Sequence, residues 1–110
     1  MNKLQKALIE SITAAITGII LTTMISAFVE DGLLPRYSVF IFGFINVIGN
    51  IATIRSLNRL GILYCSGWAL GLYIMRDALA PVDYWVNIVA AGAIIIFRIY
   101  YSSRKYFSRY

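Results

Sequence analysis

The chain has 110 residues, of which 60% are hydrophobic and 14% are charged, and its net charge is +5. Soluble domains usually hold about 45–50% apolar and about 25% charged residues, and a chain this short cannot bury so large an apolar excess in its own core. This composition excludes an ordinary soluble domain. It predicts one membrane-embedded domain over residues 1–110, whose basic charge reflects membrane topology rather than nucleic-acid binding.

Four apolar segments predict an all-α membrane protein with four transmembrane helices, arranged as two hairpins. Each segment is close to the roughly 20 residues that a helix needs to cross about 30 Å of hydrocarbon. The segments lack the alternation of apolar and polar residues that is typical of a barrel strand. Charges or a proline occupy each connection. The four segments are residues 7–28, 37–54, 57–75 and 82–101.

The first segment carries small residues on one face at spacings of three and four residues, a pattern that lets another helix backbone come close. Three isoleucines, Ile12, Ile16 and Ile20, are left to face lipid. A cleaved signal peptide is disfavoured, because the apolar run is longer than a signal core and no small-x-small site follows it. We expect close helix contact at Ser11, Ala15, Gly18, Thr22 and Ser26.

The first and third connections share the pattern D-x-L-x-P, at residues 31–35 and 77–81. Each proline precedes a span, where it can start a helix without losing a needed N–H group. Two interpretations remain open. The pattern is either the trace of a duplicated helical hairpin, as in parallel-repeat transporters, or a convergence on good turn residues.

The second segment is among the most apolar of the chain, yet it contains two asparagines. At 100° per residue its small and polar residues fall on one narrow stripe, and the other positions are mostly Phe, Ile and Val. Buried amides in lipid need partners, so the stripe either bonds to neighbouring helices or lines a polar path. We favour the interhelical bonds. The stripe consists of Gly43, Asn46, Asn50 and Thr53.

Within this segment the motif Asn46-x-x-Gly49, after an apolar stretch, resembles the second helix of the small fluoride channels. That family also has four spans and a similar length. Four short spans enclose little by themselves, so a pore in this chain would need at least a dimer. The third segment reads GILYCSGWALGLY and departs from the Phe- and Ser-rich broken helix of the family. The resemblance therefore carries no functional residue over to this chain.

The third segment contains a G-x-x-x-G motif at Gly67 and Gly71, which predicts a second position of close helix contact. Cys65 lies near the middle of the same segment. As the single cysteine it excludes an intrachain disulfide, and we expect it to be a small, inert packing residue.

Several residues of the fourth segment share one face, and this face ends at an arginine. Arg98 and Glu10 are the ionisable residues nearest the membrane interior, each about one turn inside the cytoplasmic boundary. They either extend to the interface or pair with each other across the bundle. With the stripe of the second segment, Glu10, Asn87 and Arg98 are candidates for helix packing or for a polar path. The shared face comprises Tyr84, Asn87, Ala91, Ile94 and Arg98.

Eight of the ten basic residues lie on one side of the predicted membrane, and the other side holds two arginines and four carboxylates. The positive-inside rule places the basic side, with both termini, in the cytoplasm and both proline-containing loops outside. The basic residues of that side are Lys3, Lys6, Arg55, Arg59, Arg98, Arg104, Lys105 and Arg109.

The function that these features favour is structural. The sequence has no histidine, no cysteine cluster, no glycine-rich phosphate loop and no H-E-x-x-H motif, so we expect no enzyme, cofactor or metal site. Small-residue faces, few charges and short loops predict a structural or accessory subunit, or an assembly factor, of the cell membrane. Its partners would be the lipid bilayer, other membrane helices, and anionic lipid head groups at the basic, aromatic C-terminal tail. The alternative is a homo-oligomeric small channel or transporter whose polar path is lined by Asn46 and Asn50.

Overall fold

A computed structural model describes residues 2–56 and 58–107 of the chain, with side chains over 2–56 and 59–103. Within these ranges the protein is all-α, with a short 3-10 turn at Arg76–Ala78 and no strand. The all-helical prediction is confirmed, and one helix coincides with each of the four apolar segments. The helices are α1 (Lys3–Glu30), α2 (Ser38–Ala52), α3 (Asn58–Ile74) and α4 (Pro81–Phe107).

The ends of the helices follow local sequence signals. At the start of α1 the backbone N–H of Gln5 donates to Asn2 Oδ1 (2.8 Å), and the N–H of Asn2 donates to Gln5 Oε1 (3.3 Å). This reciprocal capping lets α1 begin before the apolar run does. After α1 the chain turns at Gly32, whose φ of +80° favours glycine. Pro81 is the first residue of α4, where its missing N–H group costs no helical hydrogen bond.

The helices pack as two pairs, α1 with α3 and α2 with α4, and α3 also packs along α4. Both pairs are parallel: Gly18 of α1 lies against Trp68 of α3, and further along Thr22 lies against Gly71. By contrast, α1 and α2 contact each other little. The hairpin of α3 and α4 is therefore closed and the hairpin of α1 and α2 is open, although both contain the D-x-L-x-P pattern.

The four helices differ in length, and this difference shapes the interior. Two of them are long and apolar enough to cross a membrane, over Lys3–Glu30 and Pro81–Ser103. Helix α2 has 15 residues and α3 has 17. At 1.5 Å per residue these helices are about 22 and 26 Å long, which is less than the roughly 30 Å of a hydrocarbon core. Helix α2 consequently ends partway along its longer neighbour α4.

Large apolar side chains cover the outside of the bundle. Ile12, Ile16 and Ile20 of α1 are exposed, as are Phe44 of α2 and Ile96 of α4. Among the described residues other than glycine, the number of buried polar or charged residues equals the number of buried hydrophobic residues. The buried polar residues are Thr22, Ser26, Asn46, Asn50, Asp83, Asn87 and Arg98, and the buried hydrophobic residues are Val39, Cys65, Trp68, Leu72, Leu79, Ala91 and Ile94.

Candidate functional site

The polar stripe of α2 faces the other helices. Gly43, Asn46 and Asn50 are buried, and Thr53, directly after the helix, is half-buried. Their spacing of three or four residues places them on one face of a helix, and that face is turned toward α3 and α4. The apolar residues between them are left to the outer surface.

Both asparagine amides of the stripe bond to other helices. The hydroxyl of Tyr64, on α3, donates to Asn46 Oδ1 at 2.7 Å. Asn50 Oδ1 accepts from Arg98 Nε of α4 at 2.9 Å and from Cys65 Sγ of α3 at 3.4 Å. The amide nitrogen of Asn50 donates back to the carbonyl of Asn46 at 2.6 Å. The two amides thus connect α2 to both of its partners in the interior.

Arg98 is the centre of this cluster and is only 1% exposed. Its Nη2 donates to Thr53 Oγ1 (2.6 Å) and to the carbonyl of Asn50 (3.2 Å). Its Nη1 donates to the carbonyls of Thr53 (3.4 Å) and Ser56 (3.3 Å). The last carbonyls of any α-helix have no partner within the helix. The guanidinium therefore caps the C-terminus of the short helix α2, where a positive charge also opposes the helix dipole.

A glycine of α3 makes room for this arginine. A Cβ atom at Gly61 would lie 2.6 Å from Nε and 2.7 Å from Nη2 of Arg98, well inside contact distance. Sequence reasoning did not select Gly61 or Tyr64. Gly61 follows a basic connection at the start of α3, where a glycine carries no periodic signal of packing, and Tyr64 lies near the middle of the third apolar segment, where nothing in the sequence indicates its partner. Their roles depend on where α4 passes.

The side chain of Arg98 is buried within the bundle and reaches the end of α2. The carbonyls of Asn50 and Thr53 at the end of α2 are acceptors of its guanidinium. Among the described residues, the carboxylate of Glu10 forms its ion pair with Arg59, at 3.6 Å. Glu10, about two turns from the start of α1, therefore connects that helix to the first turn of α3, whereas Arg98 connects α4 to the end of α2.

Toward the opposite end, α2 meets α4 through a glycine and an asparagine. A Cβ atom at Gly43 would collide with Oδ1 of Asn87, so the amide lies directly against the backbone of α2. Asn87 Nδ2 donates to the carbonyl of Asp83 at 2.9 Å. The buried carboxylate of Asp83 in turn accepts from Arg36 Nε at 3.0 Å. This ion pair joins the loop before α2 to the first turn of α4.

The small residues of α1 and α3 lie where the two helices cross. A Cβ atom at Gly67 would collide with the carbonyl oxygen of Ala15, and one at Gly71 would lie 2.8 Å from Cβ of Thr22. A Cβ atom at Gly18 would lie 2.8 Å from the backbone nitrogen of Trp68. Ser11, further toward the N-terminus, is half-buried and its hydroxyl donates to the carbonyl of Ala7 within α1.

The open hairpin leaves a cleft of about 400 Å³ that reaches the polar cluster. Its lining includes apolar residues, among them Ala14 of α1 and Leu60 of α3, as well as Asn46 and Asn50. Asn46 is 6% exposed, and its Nδ2 has no hydrogen-bond partner among the described residues. The lining residues are Ala14, Ile45, Asn46, Gly49, Asn50, Thr53, Leu60, Gly61, Tyr64 and Arg98.

The predicted head-group contacts concern the C-terminal tail, residues 98–110. Within it Arg98 is buried and Tyr100 is exposed, and the side chains of residues 104–110 lie outside the described part of the chain. Comparison of the chain with protein families, with curated proteins and with solved structures finds no match.

Proposed function

We propose that the protein is a multi-pass protein of the cell membrane with four spanning helices and that it serves as a structural or accessory subunit, or as an assembly factor. The distribution of polarity supports the membrane location. Exposed apolar side chains occur on all four helices, while amides, a carboxylate and a guanidinium lie inside. In water this arrangement would be reversed, because soluble proteins bury their large apolar residues and expose their charges.

The exposed hydroxyl groups are also compatible with lipid. Thr13 Oγ1 donates to the carbonyl of Ile9 at 2.8 Å, Thr17 Oγ1 to that of Thr13 at 2.7 Å, and Ser66 Oγ to that of Ile62 at 2.9 Å. Each hydroxyl thereby satisfies its donor within its own helix, as is needed where no water is present.

The proposed orientation, with both termini in the cytoplasm, draws on the two ends of the bundle. The ion pair of Glu10 and Arg59 brings the basic starts of α1 and α3 together. The ion pair of Arg36 and Asp83 lies at the other end, which carries most of the carboxylates. The positive-inside rule then favours a cytoplasmic location for the first of these ends.

The single observation that best supports the structural role is that the interior polar groups form hydrogen bonds between helices. The amides of Asn46 and Asn50 and the guanidinium of Arg98 bond helix to helix. Such bonds stabilise one arrangement of short helices, and nothing in that pattern requires a moving solute. A bundle stabilised in this way, with an apolar exterior on every helix, is suited to pack within a larger membrane assembly.

The test is the size of the particle that contains the protein in its native membrane. A tagged copy extracted in a mild detergent should migrate as a heterogeneous assembly that contains other membrane proteins, whereas the protein produced alone should be smaller. A defined homodimer in both preparations would contradict the accessory role and support the channel or transporter.

The double variant Asn46→Val with Asn50→Val separates the two functions directly. If the amides serve packing, the variant loses roughly 1–3 kcal/mol of stability in detergent, from about one interhelical bond per residue. Ion or solute flux into liposomes should then be absent from both the wild type and the variant. A variant that is as stable as the wild type but has lost a flux that the wild type shows would establish the polar path, because a hydrophobic constriction can close a pore.

A further inference from the structure

The apolar exterior of the two short helices is bounded at each end by an arginine. Arg36 precedes α2 and Arg55 follows it, and Arg59 and Arg76 stand at the two ends of α3. All four arginines are exposed, and large apolar side chains are exposed on both helices between them. The height of this apolar surface is therefore set by helices of 15 and 17 residues, which are about 22 and 26 Å long.

At the end of the bundle that carries Arg36 and Arg76, contacts hold both side chains close to the helix ends. Arg36 Nε donates to the carboxylate of Asp83, in the first turn of α4, at 3.0 Å. Arg76 turns back over α3, since its Nη1 donates to the carbonyl of Tyr73 at 2.8 Å and its guanidinium carbon lies 4.3 Å from the centre of the Tyr73 ring. An arginine held in this way does not extend toward a more distant head-group region. These two residues therefore fix where the apolar surface ends.

Charged groups inside the bundle are separated by a similar distance. Asp83 and Arg98 of α4 are both buried and stand fifteen residues apart, which is about 22 Å along a helix. Asp83 contacts Arg36 just before α2, and Arg98 contacts the carbonyl of Thr53 just after it. The buried charges therefore lie at the levels of the two ends of α2, so the interior and the exterior share one spacing of polar groups.

A hydrocarbon core of roughly 30 Å is thicker than this spacing. A helix longer than the core can tilt, as is open to α1 and α4, but a shorter helix cannot lengthen, and the bilayer adapts to it by thinning. We propose that the protein preferentially binds phospholipids with short acyl chains along α2 and α3 and thins the bilayer there to about 22–26 Å. This inference rests on the proposed membrane location.

The test measures which lipids contact the middle of α2. Phe44, which is 66% exposed there, is replaced in the variant Phe44→Trp, and Trp85→Phe removes the exposed tryptophan of α4; Trp68 is fully buried. The protein is placed in vesicles that mix dioleoylphosphatidylcholine brominated at mid-chain with an unbrominated phosphatidylcholine. The unbrominated lipid is the dimyristoleoyl, dipalmitoleoyl, dioleoyl or dieicosenoyl form, in order of increasing chain length.

Bromine quenches the fluorescence of a neighbouring tryptophan, so the loss of quenching reports how well each unbrominated lipid competes for α2. We expect the dimyristoleoyl lipid to bind about two- to threefold more strongly than the dioleoyl lipid, because a mismatch of several Å costs fractions of a kcal/mol per Å. The dieicosenoyl lipid should bind most weakly.

Two substitutions test whether the arginines set the preferred length. Arg55→Leu continues the apolar surface beyond the end of α2 and should shift the preference toward longer chains. Lys3→Leu removes the same charge from an exposed position at the start of α1, outside the two short helices, and should leave the preference unchanged. No shift in Arg55→Leu, or the same shift in both variants, would overturn the proposal.

Equal binding of the four lipids, or stronger binding of the longer chains, would also overturn the proposal while leaving the membrane location intact. Weak quenching by the brominated lipid at every composition would mean that another protein surface covers α2, which contradicts a lipid-bound face. A protein that does not float with the vesicles in a density gradient would overturn the membrane location, and the lipid preference with it.

Discussion

Arg98 shows how a single side chain acquires its role from the length of a neighbouring helix. Helix α2 ends after 15 residues, and the carbonyls of Asn50 and Thr53 then face α4. The planar guanidinium has five donors in a fixed fork and can serve several acceptors at once. The charge of Arg98 therefore serves packing, although its position along the sequence groups it with the basic residues that are predicted to be cytoplasmic.

Removing the guanidinium should destabilise the bundle. Arg98→Leu leaves the carbonyls of Asn50, Thr53 and Ser56 without this donor, and we expect a loss of about 2–4 kcal/mol, from roughly 1 kcal/mol for each orphaned acceptor. Arg98→Lys should recover only part of the stability, because an ammonium group cannot reproduce the fork. Thermal unfolding in detergent measures both changes.

Arg55→Leu is the control for this prediction, since it removes an exposed arginine from the same end of the bundle. It should change the unfolding temperature little. Equal effects of the Arg98 and Arg55 variants would mean that the loss reflects net charge and not the capping of α2.

At the scale of helices, the crossing of α1 and α3 depends on the absence of Cβ atoms. At Gly18 and Gly67 the nearest neighbours of an added Cβ are backbone atoms of the other helix, which cannot rotate away. At Gly49 and Gly92 the same atom meets open space. Gly18 and Gly67 therefore lie at a close helix contact, whereas Gly49 and Gly92 do not.

Alanine substitutions should therefore destabilise the bundle at the first two positions and not at the other two. Gly18→Ala and Gly67→Ala force the backbones apart, and we expect each to cost about 1–3 kcal/mol. Gly49→Ala and Gly92→Ala should be neutral or stabilising by up to about 1 kcal/mol, because glycine is a poor residue within a helix. Unfolding temperatures of the four variants in the same detergent decide the matter, and a uniform sign would refute the division.

At the scale of the whole molecule, the proposed topology has both termini and the second connection on one side of the membrane. Its test uses single cysteines in a Cys65→Ala background, labelled from outside intact cells. We expect labelling of Leu33→Cys and Asp77→Cys, in the two proline-containing loops, and protection of Lys3→Cys and Ser103→Cys. All four positions are exposed on the bundle, so protection reflects the membrane and not burial in the fold.

External labelling of Ser103→Cys, or protection of Leu33→Cys, would contradict this topology. Labelling of only one proline-containing loop would mean that fewer than four helices cross. That outcome would be understandable for α2 and α3, which are shorter than the roughly 30 Å of the hydrocarbon core. Permeabilised cells, in which every cysteine should react, provide the control.

The sequence by itself determined the helical class and the position of each helix. Apolar runs broken by charges and proline leave little choice of secondary structure if the chain lies in lipid as proposed, since each run must then satisfy its own backbone groups. The periodicity of α2 also identified the stripe of Gly43, Asn46 and Asn50, because the angle between residues on a helix is fixed by local geometry.

Only the tertiary structure decided what these residues contact. Periodicity assigns a face to each helix but carries no information on which helix lies opposite or at what depth another helix ends. The pairing of Gly67 with Ala15, the space that Gly61 leaves for Arg98, and the bond from Tyr64 to Asn46 all join residues distant in sequence. Arg98 is the plainest case. Its position in the sequence predicts a residue near the membrane surface, but its guanidinium is buried inside the bundle, where it bonds to the carbonyls at the end of α2.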